Sequence, residues 1–313
     1  MGLHLHTMDK KRLWNISKTV GKLCFTAAAL YWVFREVNIN DLREALIDSN
    51  PLFLALAFLA YTGSIVIASS RLNGFFKGMG LILSERYNFK LYLLGSCYNL
   101  FLPGGVGGDG YKIYFLRRKF KVKGRQLLSA VFFDRLSGLW ALCLITAALV
   151  IFIPRLEIPN EVPIVAVALG TVAYYAVLKR YFPTYSKHFF ATHLKALGVQ
   201  SMQVVAAILI LYALRFDGKF SPYLLMFLLS SLVAVIPFSA GGLGLREVGN
   251  MYGAQLFALD PHLAVLISLL FYFISAALAV TGAYFIFHPQ GLGEDRLPTT
   301  AEAEMDEEED ENN

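Results

Sequence analysis

Long apolar stretches dominate this chain, and six of them are long enough to cross a lipid bilayer as α-helices. About 20 apolar residues span the hydrocarbon core. Each stretch is too apolar and too continuous for a helix that lies on a membrane surface. The pattern therefore predicts an all-α polytopic membrane protein, with full transmembrane helices at about 20–36, 51–70, 129–153, 162–178, 197–214 and 263–287.

Two further apolar segments, 88–116 and 221–258, are interrupted at their centres by proline and a cluster of glycines. Proline removes a backbone donor and clashes with the preceding helical turn, and glycine permits positive φ. The run Leu91–Leu102 has 12 residues. That is roughly 18 Å of helix, which is too short to cross unaided. Both segments are therefore predicted to be re-entrant hairpins of two half-helices.

The two interruptions share a short motif. Residues 103–109 read PGGVGGD and residues 237–244 read PFSAGGLG, so in each a proline precedes a GGxG core. One hairpin is expected to enter from each face of the membrane. Pro/Gly-interrupted segments in corresponding halves indicate an inverted repeat with a binding site near the midplane. Glycine-rich contacts between packed helices are the alternative explanation of the motif.

Positive charge predicts the orientation. Cytoplasmic loops of membrane proteins carry an excess of lysine and arginine. A single crossing at 88–110 would place the basic cluster after it outside, and a hairpin avoids this. Both termini are therefore predicted to be cytoplasmic, in a multi-pass protein of the cell inner (plasma) membrane. The basic residues concentrate in 10–22, 71–90, 112–125 and 179–195.

Composition supports the membrane assignment and divides the chain in two. The chain is 56% hydrophobic and 16% charged, and its mean hydropathy is +0.53. These values exclude a soluble globular enzyme, a disordered chain and a disulfide scaffold. Residues 1–288 hold 27 basic and 13 acidic residues, whereas 289–313 hold ten acidic residues and one basic residue. We therefore expect a transmembrane domain at 1–288 and a disordered acidic cytoplasmic tail at 289–313.

The glycine-rich interruptions also indicate where a ligand would bind. Bare backbone inside a membrane needs protein or water around it, so the interruptions imply a water-accessible cavity. A half-helix that starts there presents unpaired N–H groups and the positive end of its dipole to an anion. Asp109 and Lys112 follow the first interruption, and Arg246 and Glu247 follow the second. Arginine suits phosphate because its planar group binds two oxygens at once.

Each of these charges also has a structural interpretation. Asp109 would cap a helix start, and Arg246 would pair with Glu247 at a wet helix start. Asp134 and Arg135 lie about 100° apart on one predicted helix, so they need separate partners. Asp134 could pair with the basic cluster 112–125, and Arg135 could either face the cavity of Asp109 or extend to the membrane interface.

Arg71 ends the second predicted crossing on the cytoplasmic side. A positive-inside anchor is its simplest interpretation, although it could also contact a lipid headgroup.

Three blocks of this sequence resemble one known family. PGGVGGD at 103–109, the DR of FFDRLSGL at 134–135 and PFSAGGLGLRE at 237–247 are similar to the characteristic blocks of the lysylphosphatidylglycerol synthase transmembrane-region (flippase-like) family. The resemblance covers nearly all of 10–288. The family includes the membrane half of the multiple peptide resistance factor, which moves aminoacylated phosphatidylglycerol between leaflets.

The resemblance implies a set of substrate-binding residues. Lys112 stands where many relatives have arginine. The soluble aminoacyl-transfer domain of the two-part synthases has no counterpart in 289–313, so a stand-alone family member is expected. The candidate substrate-binding residues are Pro103, Gly104, Gly105, Gly107, Gly108, Asp109, Lys112, Asp134, Arg135, Pro237, Gly241, Gly242, Gly244, Arg246 and Glu247.

The leading hypothesis is a translocator of an anionic phospholipid or a lipid-linked headgroup. We expect a transporter rather than an enzyme, with no catalytic residue, cofactor or metal. The alternatives are a membrane-embedded transferase that uses a polyprenyl-phosphate or phospholipid donor, and a lipid-binding or scaffold subunit. The expected partners are the lipid substrate and the bilayer, and not nucleic acid; a homo-oligomer is left open.

Overall fold

The structure is a computed structural model that describes residues 43–44, 47–101, 107–151, 153, 159–234 and 245–293. The predicted crossing at 20–36, both Pro/Gly turns and the acidic residues after 293 lie outside this part of the chain. The regular elements of the described residues are helices, and no strand occurs among them. The prediction of an all-α polytopic fold is confirmed.

The helices of the described residues follow one another with short connections. Helical structure continues past the predicted domain boundary at 288, as far as Leu292. The elements are α1 (Pro51–Gly78), α2 (Glu85–Phe101), α3 (Gly107–Phe120), α4 (Gly124–Ile151), α5 (Glu161–Tyr181), α6 (Pro183–Ser186), α7 (Phe189–Ala213), α8 (Phe220–Ala234), α9 (Leu245–Leu256), α10 (Pro261–Thr281), α11 (Tyr284–Phe287) and a 3₁₀ helix (Pro289–Leu292).

Five helices in the described part of the chain are long and apolar enough to span a membrane. They are α1, α4, α5, α7 and α10 with its extension to Phe287, and they match five of the six predicted crossings. Three of them extend five or more residues beyond the predicted limits: α1 continues to Gly78, α4 starts at Gly124 and α7 starts at Phe189. Hydropathy predicts only the apolar part of a helix. These helices continue through polar residues, which contact other parts of the bundle.

The surface of the bundle is apolar where it would face lipid. On α5, Val162, Leu169 and Val172 expose more than half of their surface. Soluble monomers rarely expose a large continuous patch of apolar side chains. The exposed face of α5 therefore suits the hydrocarbon core of a bilayer.

Two of the long helices start with the same capping arrangement. The side chain of Asn50 accepts a hydrogen bond from Leu52 N over 3.0 Å, and that of Asp260 accepts one from His262 N over 2.9 Å. In both helices proline follows the cap, where its missing N–H costs no hydrogen bond. These caps fix the starts of α1 and α10.

Contacts between helix ends define one face of the bundle. Tyr185 Oη donates to the carbonyl oxygen of Gln126 over 2.9 Å, and Lys90 Nζ donates to that of Gly291 over 3.0 Å. These contacts join the end of α6 to the start of α4 and the start of α2 to the 3₁₀ helix. We call this end the basic face, and it is formed by residues 77–90, 117–126, 179–188 and 288–293.

The other ends of the helices meet at the opposite face. Asn50 N donates to the carbonyl oxygen of Ala213 over 2.8 Å, and Asp260 N donates to Tyr223 Oη over 3.0 Å. Ile153, which follows α4, packs with Met226 of α8 in a small apolar cluster. The opposite face is formed by residues 50, 153, 213–223 and 257–260.

The shorter helices pair as two hairpins. The rings of Tyr98 on α2 and Tyr111 on α3 lie 4.3 Å apart, and those of Tyr87 and Phe120 lie 6.1 Å apart. The start of α2 and the end of α3 therefore meet at the basic face. With 17 and 14 residues, the two helices reach roughly 25 and 20 Å, which is less than a bilayer core.

The second hairpin, α8 with α9, has the reverse orientation. Tyr223 lies near the start of α8 and bonds Asp260, which follows α9, so both open ends lie at the opposite face. Near the other end, Arg246 Nη2 of α9 donates to Ser231 Oγ of α8 over 3.3 Å. The two hairpins thus enter from opposite faces, as the repeated motif predicts.

The first hairpin depends on close approach of α2 and α3. A Cβ at Gly108 would overlap the carbonyl oxygen of Gly95, and backbone cannot move aside as a flexible side chain does. We therefore expect Gly108→Ala to destabilise the protein by about 1–3 kcal/mol. Thermal unfolding of the purified protein in detergent measures this change.

Gly110 is the matched control, because it lies on the same helix with open space around its Cβ position. Gly110→Ala should leave stability unchanged or raise it by up to about 1 kcal/mol. Equal melting temperatures for the two variants would contradict the close packing of α2 on α3.

Candidate functional site

A polar cavity lies between α1, α4 and the first hairpin. Its volume is about 140 Å³, which is room for a few waters or a small charged group. Apolar clusters pack around it, so its charged side chains are held inside the bundle. The polar side chains that line it include Arg71, Asn99, Asp109, Lys112, Asp134 and Arg135.

Asp109 is the bridge between two cations of this cavity. It lies in the first turn of α3, and its Oδ1 is 2.7 Å from Lys112 Nζ, one turn later. Its Oδ2 accepts a hydrogen bond from Arg135 Nε of α4 over 2.6 Å. Asp109 therefore does more than cap a helix start, because both of its oxygens contact cations. The hypothesis that Arg135 faces the cavity of Asp109 is confirmed.

Asp134 has a different partner from the one that the sequence suggested. Its carboxylate binds Arg71 of α1 through two hydrogen bonds, from Nε over 2.7 Å and from Nη2 over 3.0 Å. The prediction that it pairs with the basic cluster 112–125 is wrong. Asp134 and Arg135 diverge around the helix axis, so Asp134 points to α1 and Arg135 points to α3.

Arg71 is buried, with 6% of its surface exposed, and its pairing with Asp134 gives it a role that the positive-inside interpretation does not include. The apolar run ends near residue 70, but α1 continues for two more turns to Gly78. The bundle covers these turns. Gly138 of α4 makes room for the guanidinium, since a Cβ there would lie 3.2 Å from Arg71 Nη1.

Cations outnumber carboxylates among the described side chains that line the cavity. Three cations (Arg71, Lys112 and Arg135) face two carboxylates (Asp109 and Asp134). In addition, Nη1 of Arg71 is buried and has no hydrogen-bond partner among the described residues. A buried donor without a partner is costly, and an anion in the cavity would supply an acceptor for it.

Sequence reasoning missed the part of this site that α2 contributes. Tyr92, Ser96 and Asn99 line the cavity. The ring of Tyr92 lies under Lys112 Nζ at 4.7 Å, and Asn99 Oδ1 accepts a hydrogen bond from Gly108 N over 2.8 Å. The spacing i, i+4, i+7 places the three side chains on one face of a helix, which is the signal that could have found them.

Arg246 has a separate environment in the second hairpin. Its guanidinium lies over the rings of Phe227 at 5.2 Å and Phe271 at 5.5 Å, besides its bond to Ser231. Cation–π contacts of this kind stabilise an arginine away from bulk water. Arg246 thus contacts α8 and α10, whereas the charges of the first hairpin meet around the α1–α4 cavity.

The remaining sequence-predicted residues fall in two groups. Gly107 and Gly108 form the start of α3, and Glu247 lies in the first turn of α9. Seven others lie outside the described residues: Pro103, Gly104, Gly105, Pro237, Gly241, Gly242 and Gly244.

Comparison with protein families gives one match. The family described as the lysylphosphatidylglycerol synthase TM region matches residues 19–282. This range includes both hairpins and every described residue of the cavity. A search of curated proteins found no match to the chain.

The Arg71–Asp134 pair should be critical for stability. Asp134→Asn keeps the shape of the side chain but leaves a buried guanidinium without its counter-charge, which costs about 3–5 kcal/mol. The exposed pair Lys77–Glu85, whose atoms lie 2.8 Å apart, is the matched control. Glu85→Gln should cost less than about 1 kcal/mol. Thermal unfolding in detergent compares the two variants.

A double variant separates the charge from the packing. Replacing both partners, Arg71→Met with Asp134→Leu, removes the uncompensated charge and should recover most of the lost stability. A double variant as unstable as Asp134→Asn would show that the pair does not act through its charges.

Proposed function

The chain belongs to the lysylphosphatidylglycerol synthase transmembrane-region family, and on this premise we propose that it moves an anionic phospholipid or lipid-linked headgroup between the leaflets of a membrane. The family and the apolar helices make the chain a multi-pass membrane protein of lipid metabolism or translocation. The proposal adds the class of the lipid and the residues that bind it.

The observation that carries the proposal is the cluster of three cationic side chains, Arg71, Lys112 and Arg135, that lines the α1–α4 cavity. Charged groups inside a membrane are costly unless they are paired or functional. Here Arg71 and Lys112 are buried, and Arg135 keeps 44% of its side chain exposed. A phosphate group would accept charge-assisted hydrogen bonds from these donors. Asp109 and Asp134 then hold the cations in place until the headgroup arrives.

The two opposed hairpins support movement between leaflets rather than binding alone. The first hairpin opens at the basic face and the second at the opposite face. Each carries a cation near the start of its second half-helix, Lys112 in α3 and Arg246 in α9. We propose that a headgroup is held in turn by the Asp109–Lys112–Arg135 cluster and by Arg246 with Glu247, while its acyl chains stay in the bilayer. The glycines and prolines of the two turns would let the backbone approach the headgroup closely.

We also propose the orientation. The basic face is rich in lysine and arginine, and such an excess marks the cytoplasmic side. On this view the first hairpin receives lipid from the cytoplasmic leaflet of the cell inner membrane, and the second receives it from the outer leaflet.

Leaflet exchange in proteoliposomes tests the function. Fluorescent phosphatidylglycerol and fluorescent phosphatidylcholine are placed in separate vesicles, and a membrane-impermeant quencher measures how fast each lipid reaches the outer leaflet. We expect faster exchange of phosphatidylglycerol. Arg135→Gln and Arg246→Gln should each lower this rate about tenfold or more, because each removes a charge-assisted hydrogen bond of about 1.5–3 kcal/mol.

Arg86→Gln is the matched control. Arg86 is an exposed arginine of the basic face outside the cavity, so the substitution should leave exchange unchanged. Exchange that survives both Arg246→Ala and Asp109→Ala would overturn the mechanism. Equal exchange of the two lipids would overturn the assignment of an anionic headgroup.

A further inference from the structure

A second, open cleft lies on the basic face, apart from the α1–α4 cavity. Its volume is about 550 Å³, and it is formed by the end of α3, the loop 121–123 and the start of α4. Four basic residues line it: Arg117, Arg118, Lys121 and Lys123. Charges of one sign around a concave surface concentrate the opposite charge.

The described chain ends beside this cleft. Lys119, on the helix that lines the cleft, donates to the carbonyl oxygens of Leu292 and, over 3.1 Å, Gly293. Lys90 donates to the carbonyl oxygen of Gly291 over 3.0 Å. The 3₁₀ helix is therefore fixed to the first hairpin, and the residues after Gly293 start next to the end of α3.

From these positions we propose that the acidic segment 302–311 of the same chain docks in the basic cleft. Eight of its ten residues are Asp or Glu, a charge opposite to that of the four cations of the cleft. Residue 302 follows Gly293 by nine positions, which is up to about 30 Å of extended chain. The segment therefore reaches the cleft without strain.

The tether favours the chain's own segment over an acidic partner from solution. An exposed ion pair contributes only about 0.2–1 kcal/mol, so a free acidic peptide would bind weakly. A segment attached beside the cleft has an effective concentration of about a millimolar or more. Several weak pairs then act together, which makes docking sensitive to salt.

The cleft shares its helix with the cavity. α3 carries Asp109 and Lys112 near its start and Arg117 near its end. A segment bound at the end of α3 therefore restrains the same helix that holds the charged cluster. The docking itself does not depend on the proposed lipid transport, so the two proposals are tested separately.

Photo-crosslinking of the full-length chain tests the docking. Benzoylphenylalanine is placed at Lys123, an exposed residue of the cleft, or at Lys187, an exposed lysine of the same face outside it. In phosphatidylcholine vesicles at 0.1 M salt, we expect adducts with 302–311 to be at least about five times more frequent from position 123. Raising the salt to 1 M shortens the Debye length from about 10 to about 3 Å and should reduce these adducts to the level of position 187.

Charge-neutral variants complete the test. Changing the eight acidic residues of 302–311 to Gln or Asn, or changing Arg117 and Arg118 to Gln, should each reduce the adducts at position 123 to the control level. Equal adducts from positions 123 and 187 would overturn the proposal. So would adducts at position 123 that form with phosphatidylglycerol in mixed vesicles but never with 302–311 in phosphatidylcholine, because the cleft would then be a lipid site.

Discussion

The ion pair between Arg71 and Asp134 is the interaction on which the charged interior of this protein depends. It joins α1 to α4 through two hydrogen bonds and is almost fully buried. A buried pair contributes little net stability compared with apolar residues, but the loss of one partner is severe. The pair therefore fixes how the two helices face each other. Once Asp134 points toward α1, the turn of the helix directs Arg135 toward α3, where it meets Asp109.

The glycines of the first hairpin impose the second constraint. Gly95 and Gly108 bring α2 and α3 so close that the side chain of Lys112 lies against Gly95. This contact places the Lys112 ammonium group between Asp109 and the ring of Tyr92. The glycines thus position a charge as well as allow a turn. The sequence presents helix packing and ligand binding as alternative explanations of the motif. In the structure, Gly108 packs α3 on α2 beside the charged cavity.

The hydrophobic pattern predicts much of the fold, because the length and continuity of apolar stretches set which helices can cross a bilayer. Five predicted crossings are helices of the structure. Their ends were harder to predict. α1 continues through Arg71 and Asn73, whose partners are Asp134 and the carbonyl oxygen of Leu83. Sequence proximity suggested a partner for Asp134 in the nearby basic cluster, yet its partner lies 63 residues away. Such pairs depend on how the helices pack, which a single sequence does not specify.

The attachment of the 3₁₀ helix to the first hairpin has a mechanical consequence. Pro289–Leu292 follows α10 through α11, and it is held to α2 by Lys90 and to α3 by Lys119. α10 itself packs against the second hairpin through Phe271 and Phe227. A tilt of the first hairpin would therefore displace the end of α10, and through α10 it would act on the second hairpin. The 3₁₀ helix and α10 thus connect the two hairpins through direct contacts as well as through the chain.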